Sequence, residues 1–243
     1  MSARLVLEVG NVSVYDLLGS GDDEKLEKML GLYERLFPRY SHYVPRMRRR
    51  ARFGNGHRPD HILHYWLIEV DGQPAGLRTF RYVRHRRCGL AHALAIDPQF
   101  RRVEAGGRRL SVFVIHECLA QVVRDAKESG DPPPYGMVNE VEPERLMEHY
   151  IRNGLVQLPL KYMEPIFPPE VEGRNRSEEL ALTAFAPMHI GFLPNPEVQV
   201  ETFTRDMISD FALAFLVDHY GLPEDHPVVL QVLETIYDQE KHP

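Results

Sequence analysis

Leu90-Ala-His-Ala-Leu-Ala-Ile-Asp-Pro-Gln-Phe-Arg-Arg-Val-Glu-Ala-Gly-Gly-Arg-Arg-Leu110 is the stretch whose reading decides the fold. Its first seven residues are apolar apart from His92 and predict a strand that stops at Asp97-Pro98, because proline brings no N–H to a sheet. From about Gly107 to Lys127, Leu110, Val114, Cys118, Val122 and Ala126 recur at helical spacing, and Val112, Phe113, Ile115, Leu119 and Val123 widen the apolar face, so a largely buried helix follows. Between the strand and Leu110 lie four arginines and two adjacent glycines. A chain entering a helix through glycines exposes backbone amides at the positive end of the helix dipole, which is the requirement for seating an anion.

Working outward, His64 to Val70 reads as a strand, Asp71-Gly72 as a hairpin turn and Ala75 to Val83 as the returning strand, which with Leu90 to Ile96 makes an antiparallel meander. Upstream, Asp22 or Asp23 can cap a helix with Leu26, Met29, Leu30, Tyr33, Leu36 and Phe37 on its apolar face, stopped by Pro38. Downstream, Gly130-Asp-Pro-Pro-Pro134 ends the long helix and Tyr135 to Val141 reads as a strand. A short helix follows, with Pro143 at its first position, Glu144 and Glu148 near its positive start and Gly154 just past its end. Leu155 to Phe167 and Leu180 to Ala186 are strand-like and separated by the polar stretch Pro168 to Glu179. A Pro-rich passage, Pro187 to Pro196, leads to helical patterns over Thr204 to Tyr220 and Pro227 to Gln239. Their apolar faces must be buried, by packing on the same chain or at a subunit interface such as a homodimer.

The composition, 43% hydrophobic and 26% charged over 243 residues, is that of a globular protein with room for a sizeable core. No uncharged stretch suits a secretion signal, since Glu8 interrupts the apolar start, and Phe211 to Val217 is too short to span a bilayer, so a soluble cytoplasmic protein without membrane contact is expected. Cys88 and Cys118, in no metal-ligand or redox spacing, fit two reduced thiols. Up to Tyr162 there are 25 basic and 20 acidic residues, and from Met163 onward 4 and 15. The net charge of −6 argues against general nucleic-acid binding, while the basic first part suits an anionic ligand.

The order strand, helices, three-strand meander, long helix, strand, short helix, hairpin resembles the GCN5-related N-acetyltransferase (GNAT) fold across about residues 4 to 187. The run His92 to Arg102 looks like that family's fourth strand entering its pyrophosphate loop and is similar in particular to the arylalkylamine acetyltransferases. The resemblance implies an α+β class, with a mixed, mostly antiparallel central sheet flanked by helices, in an acyltransferase domain over 1–187 and a C-terminal helical extension over 188–243. The family loop, Gln/Arg-x-x-Gly-x-Gly/Ala, fits two registers: Arg102-x-x-Ala105-x-Gly107, which also aligns Leu110 with the helix core, and Arg101-x-x-Glu104-x-Gly106, which puts an acid beside the phosphates. Arg101, Arg102, Ala105, Gly106, Gly107 and Arg108 are the implied coenzyme-binding residues, with Leu94 and Ile96 lending backbone groups and Asn139 an amide to the pantetheine arm. The plainer reading is a Gly-Gly helix start flanked by solvated arginines, with Leu94 and Ile96 filling the core and Asn139 bonding a neighbouring strand.

Tyr150-Ile-Arg-Asn-Gly154-Leu resembles the family's Tyr-x-Lys-x-Gly-Phe, whose tyrosine protonates the departing thiolate; the alternative is a phenol packed on Leu146 and Met147. A protonated amine has no lone pair with which to attack a thioester, so a base is needed as well. His92 stands where the arylalkylamine enzymes carry a catalytic histidine, and Glu140 and Glu142 fall where a strand should end beside an acceptor cleft. Against these stand a structural histidine and two solvated acids. The resemblance therefore implies transfer of an acyl group, acetyl in the first instance, from coenzyme A to an amine by direct attack in a ternary complex, without a metal. The basic clusters Arg46 to Arg52 and Arg84 to Arg87 are either solvated faces or contacts for coenzyme phosphates, an acidic acceptor or an acyl carrier protein. The departures of the loop from its pattern keep a second reading open, a catalytically silent domain of this fold that binds a coenzyme-like ligand or a protein.

Overall fold

The computed structural model describes residues 2–55, 59–142, 144–168, 176–198, 200 and 202–236. Pro143, Tyr237 and the last residues of the expected final helix lie outside them. The chain forms two compact units, one of residues 1–84 and 91–130, the other of residues 85–90 and 131–243.

The first unit begins with a hairpin, β1 (Arg4–Val9) and β2 (Val12–Asp16), where a single strand is expected. Helix α1 (Asp23–Leu36) is capped by Asp22, whose carboxylate accepts from the Lys25 amide at 3.0 Å and from the Ala3 amide at 3.0 Å. These two amide bonds hold the Asp22 carboxyl below the usual carboxylate range. The basic segment becomes helix α2 (Val44–Phe53), which buries Val44, Met47 and Ala51 and keeps its arginines on the other faces. The meander is present as β3 (His61–Val70), β4 (Gln73–Val83) and β5 (Cys88–Ile96), of which the stretch from Ala91 lies in this unit. Asp71 and Gly72 both adopt positive φ, 49° and 73°, the left-handed pair that a two-residue hairpin turn requires. The order β1-β2-β3-β4-β5 is antiparallel in each of its first three pairs. One core, made of Leu26, Met29, Leu30, Leu67 and Leu77 among others, lies under α1 and α2.

Before the long helix the structure departs from expectation. Two-residue strands β6 (Glu104–Ala105) and β7 (Arg108–Arg109) pair antiparallel, and helix α3 (Leu110–Glu128) begins at Leu110 rather than near Gly107. Gly106 and Gly107, with φ of 55° and 74°, form the turn of this hairpin. A Gly-Gly pair satisfies both left-handed positions of a tight turn at no steric cost, and that local preference competes with helix entry.

In the second unit β8 (Gly136–Val141) pairs with β11 (Ala184–Pro194), which pairs with β10 (Tyr162–Ile166) and with the short β9 (Val156–Gln157). Helix α4 (Glu144–Ile151) follows β8. The expected continuous strand from Leu155 is broken into β9 and β10. The start of the second expected strand is helical, α5 (Arg176–Ala181), and β11 runs on through Pro187 to Pro194, across the boundary expected at 187. Prolines did not end it because residues 184–188 pair only with β10 and residues 189–194 pair with β8. Pro187 thus occupies a stretch with one neighbouring strand, the edge-like setting in which a sheet tolerates proline.

Helix α6 (Arg205–Leu213) continues into a π-helical turn, Ala214–His219, and helix α7 (Pro227–Glu234) follows. Ile208, Phe211, Phe215, Leu216, Val229, Val232 and Ile236 are buried. Phe211 stacks on Phe192 of β11 with ring centroids 4.8 Å apart. Cys88 and Cys118 are buried and free, and burial raises both thiols, Cys118 to about 12, so neither is a nucleophile at neutral pH. No helix among the described residues is long and apolar enough to cross a membrane.

Candidate functional site

The residues of the expected coenzyme loop fall in the first unit. Strand β5 delivers the chain to Asp97, whose carboxylate accepts from the Gln99 amide and pairs with Arg35, both of which hold it below the usual range. Arg101 folds back so that Nε donates to the Ile96 carbonyl at 3.3 Å. The Leu110 amide, the first of α3, donates to the Val103 carbonyl at 2.9 Å, and Arg109 donates to the Arg102 carbonyl at 2.6 Å while its Nε lies 3.6 Å from Glu104. The hairpin therefore spends the first amide of the helix internally, and no open cradle of helix-entry amides of the expected kind is formed by Leu110. What it presents instead is a tip, Gly106-Gly107, exposed together with Arg102 and Arg108. A Cβ added at Gly107 would meet nothing within 4 Å, so the tip is sterically open. The residues fit an anionic pyrophosphate through guanidinium groups and an approachable backbone, with Glu104 as the single opposing charge in the hairpin. Ala105 is buried, Ile96 is buried and Leu94 is half-buried, so the last two also fill the core.

His92 of β5 is half-buried, and Arg81 Nε donates to its Nε2 at 2.9 Å. Arg81 Nη1 also lies 3.3 Å from His61 Nδ1. A guanidinium keeps its protons at any physiological pH, so the His92 Nε2 lone pair is occupied by a permanent donor. That arrangement suits a structural histidine better than a base.

The other candidates fall in the second unit. Tyr150 occupies the last turn of α4, 9% exposed, and its carbonyl accepts from the Asn153 amide at 2.9 Å and the Leu155 amide at 3.1 Å. Gly154 at φ 98° permits that reversal, so the Tyr150 to Gly154 spacing is a helix stop that fixes the tyrosine. Asn139 of β8 is buried and donates to the Met137 carbonyl of its own strand at 3.1 Å. Glu142, just past β8, is exposed.

Glu140 is not the solvated acid that its position suggests. It pairs with Ile190 in the β8–β11 ladder and is half-buried, and each carboxylate oxygen accepts from a phenol: Tyr162 OH to Oε1 at 2.6 Å and Tyr220 OH to Oε2 at 2.8 Å. Withdrawal from water and the charge of Glu164 raise its pKa to about 8, outweighing the two phenol bonds that lower it. Tyr162 and Tyr220 are themselves raised well above the usual tyrosine range, by burial and by the Glu140 charge. Tyr162 and Tyr220 were invisible as partners in the sequence, because they stand 22 and 80 residues from Glu140.

The first unit holds a second unexpected cluster. His64 of β3 is buried, with Nδ1 donating to Asp16 at 2.6 Å and Nε2 to Asp125 at 2.9 Å. Burial pushes its pKa down, but the two carboxylates outweigh this and raise it to about 9, so it is an imidazolium at neutral pH. These three side chains, with Arg4, Asn55 and Glu128 among others, line a cavity of about 460 Å³. The basic clusters are largely paired inside the chain: Arg48 is bidentate to Glu27, and Arg86 meets Asp218 and Asp210 at 2.6 Å each. No group of three or more metal-ligating side chains converges among the described residues.

No protein-family profile matches the sequence, and no curated protein matches it. Solved structures are similar to this chain only at low identity. A GNAT-family protein from Bacteroides thetaiotaomicron has a TM-score of 0.48 at 17% identity, covering 86% of this chain and 99% of its own. The ribosomal L7/L12 alpha-N-protein acetyltransferase RimL has a TM-score of 0.47 at 10% identity, covering 79% and 94%. A Bacillus anthracis protein solved in complex with acetyl coenzyme A has a TM-score of 0.35 at 15% identity, covering 57% of this chain and 65%, just under two thirds, of its own. The element order traced above is of the α+β class, a sheet with mostly antiparallel strands flanked by helices.

Proposed function

We propose that this chain is an acyl-CoA-dependent N-acyltransferase that moves an acyl group, acetyl in the first instance, to an amine. One observation carries the reading: consecutive elements of one unit, β8 and α4, bear a carboxyl whose proton affinity lies near neutrality and a phenol fixed at the acid position of the resembling family. Glu140 takes the proton of the acceptor ammonium, the freed amine attacks the thioester carbonyl, and Tyr150 supplies a proton to the departing sulfur. Glu140 is preferred to His92, whose lone pair faces Arg81, and to the exposed Glu142. Within the first unit taken by itself, Arg102, Arg108 and the Gly106-Gly107 tip are the proposed contacts for the coenzyme phosphates. An acyl carrier protein, which presents the same pantetheine arm, is the alternative donor.

The test is thermal unfolding with acetyl-, longer acyl- and free coenzyme A, followed by thiol release with a panel of primary amines. A ligand that binds only the native state raises the transition temperature by linkage. No shift with any of them at millimolar concentration would refute the proposal. A second reading, a silent domain that binds but does not turn over, is favoured by the closed hairpin and its Glu104–Arg109 contact. A shift without thiol release toward any amine would support it.

A further inference from the structure

Glu140 has a neighbourhood that an isolated base would not need. Three polar groups from two parts of the chain meet around it: Tyr162 and Glu164 of β10 and Tyr220 beyond the π-helical turn. The Tyr220 hydroxyl lies 2.8 Å from Glu140 Oε2 and 3.5 Å from Glu164 Oε1, so one phenol stands between two carboxyls. The π-helical turn presents it there. The Tyr220 amide donates to the Phe215 carbonyl, five residues back, at 2.8 Å, a wider turn than an α-helix makes. The ring is held by Phe167, at 6.2 Å between centroids, and by His219, at 4.5 Å; the other titratable group of that element, Asp218, pairs with Arg86 at 2.6 Å.

We infer that Tyr220 is a positioning residue that couples Glu140 to Glu164, so that the two carboxylates, both ionised at the start, share the proton taken from the acceptor and carry it away from the reacting nitrogen. This inference rests on the acyl-transfer reading. The step balances: the acceptor R-NH3⁺ gives its proton to the Glu140 carboxylate and becomes R-NH2. The Glu140 carboxylic acid then donates to the Tyr220 oxygen as the Tyr220 proton moves to the Glu164 carboxylate. Each bond to hydrogen that breaks is replaced by one that forms, and the phenol is regenerated. The tail supplies this coupling from 80 residues downstream of Glu140, which gives the C-terminal helices a part in the reaction beyond packing.

The experiment follows the Glu140 carboxyl directly, by carbon-13 NMR of protein labelled at glutamate Cδ, with Glu140→Gln to assign the signal. Tyr220→Phe removes a donor to the ionised form and leaves the ring; the Glu140 titration should move up by about one unit. Glu164→Gln removes the like charge, and the titration should move down by about one unit. Packing alone predicts no opposition of sign, so shifts in the same direction, or none in folded variants, would overturn the coupling. The pH profile of kcat separates this from the acyl-transfer reading. If the carboxyl shifts appear and the profile follows them, both stand; if they appear and turnover with acetyl coenzyme A does not move, Glu140 is not the base.

Discussion

Replacing His64 by Gln removes a buried cation from between two carboxylates, and the cost should depend on pH in a way that a packing loss would not. The imidazole pKa is raised from 6.5 in an unstructured chain to about 9. At about 1.4 kcal/mol per unit, that difference makes the bridge worth ~3 kcal/mol, in the range found for breaking buried ion pairs. Because the folded-state value is the higher one, the contribution is fully present below pH 6.5, shrinks as pH rises, and is gone above pH 9. The assay is urea unfolding read by the fluorescence of Trp66. It is the single tryptophan, and its ring centroid lies 6.4 Å from that of His64, so the signal reports this unit. At pH 6 the variant should be less stable than wild type by ~3 kcal/mol, and by pH 10 the two curves should converge to within about 1 kcal/mol. A gap that stays constant from pH 6 to pH 10 would refute the reasoning. It would place the loss in the stacking of His64 on Phe80, 4.7 Å away, rather than in charge.

Gly107→Glu should weaken acetyl coenzyme A binding at least about tenfold in a calorimetric titration, whereas Gly107→Asn, which tolerates the φ of 74° without adding charge, should bind nearly as wild type. Equal affinities for both would show that the hairpin tip is not the phosphate seat. Tyr150→Phe should slow turnover by roughly 10²-fold or more while leaving coenzyme affinity unchanged, because the buried ring stays and only the proton donor goes. Wild-type rates across pH would reduce Tyr150 to a packing residue.

Much of the architecture was legible because local chemistry decides it. Asp22 caps α1, Asp71-Gly72 turns the β3–β4 hairpin, and the apolar face of α3 is buried as its periodicity requires. Periodicity and turn chemistry act over a few residues, and the elements they specify formed with small shifts of their ends. The Gly106-Gly107 pair was legible as a backbone special but not in kind, since two glycines serve a helix entry and a tight hairpin equally well and only the Leu110 to Val103 bond selects the second. Pro187 was misread for the opposite reason: its cost depends on which strand lies beside it. The candidate site divides along the same line. Tyr150 and Gly154 could be read from their spacing, because a helix stop is local. The character of Glu140 could not, because it is set by Tyr162, Glu164 and Tyr220, brought against it by strand pairing and a π-helical turn from as far as 80 residues away. A side chain's proton affinity follows from its surroundings, and for Glu140 and His64 those surroundings exist only once the chain has folded.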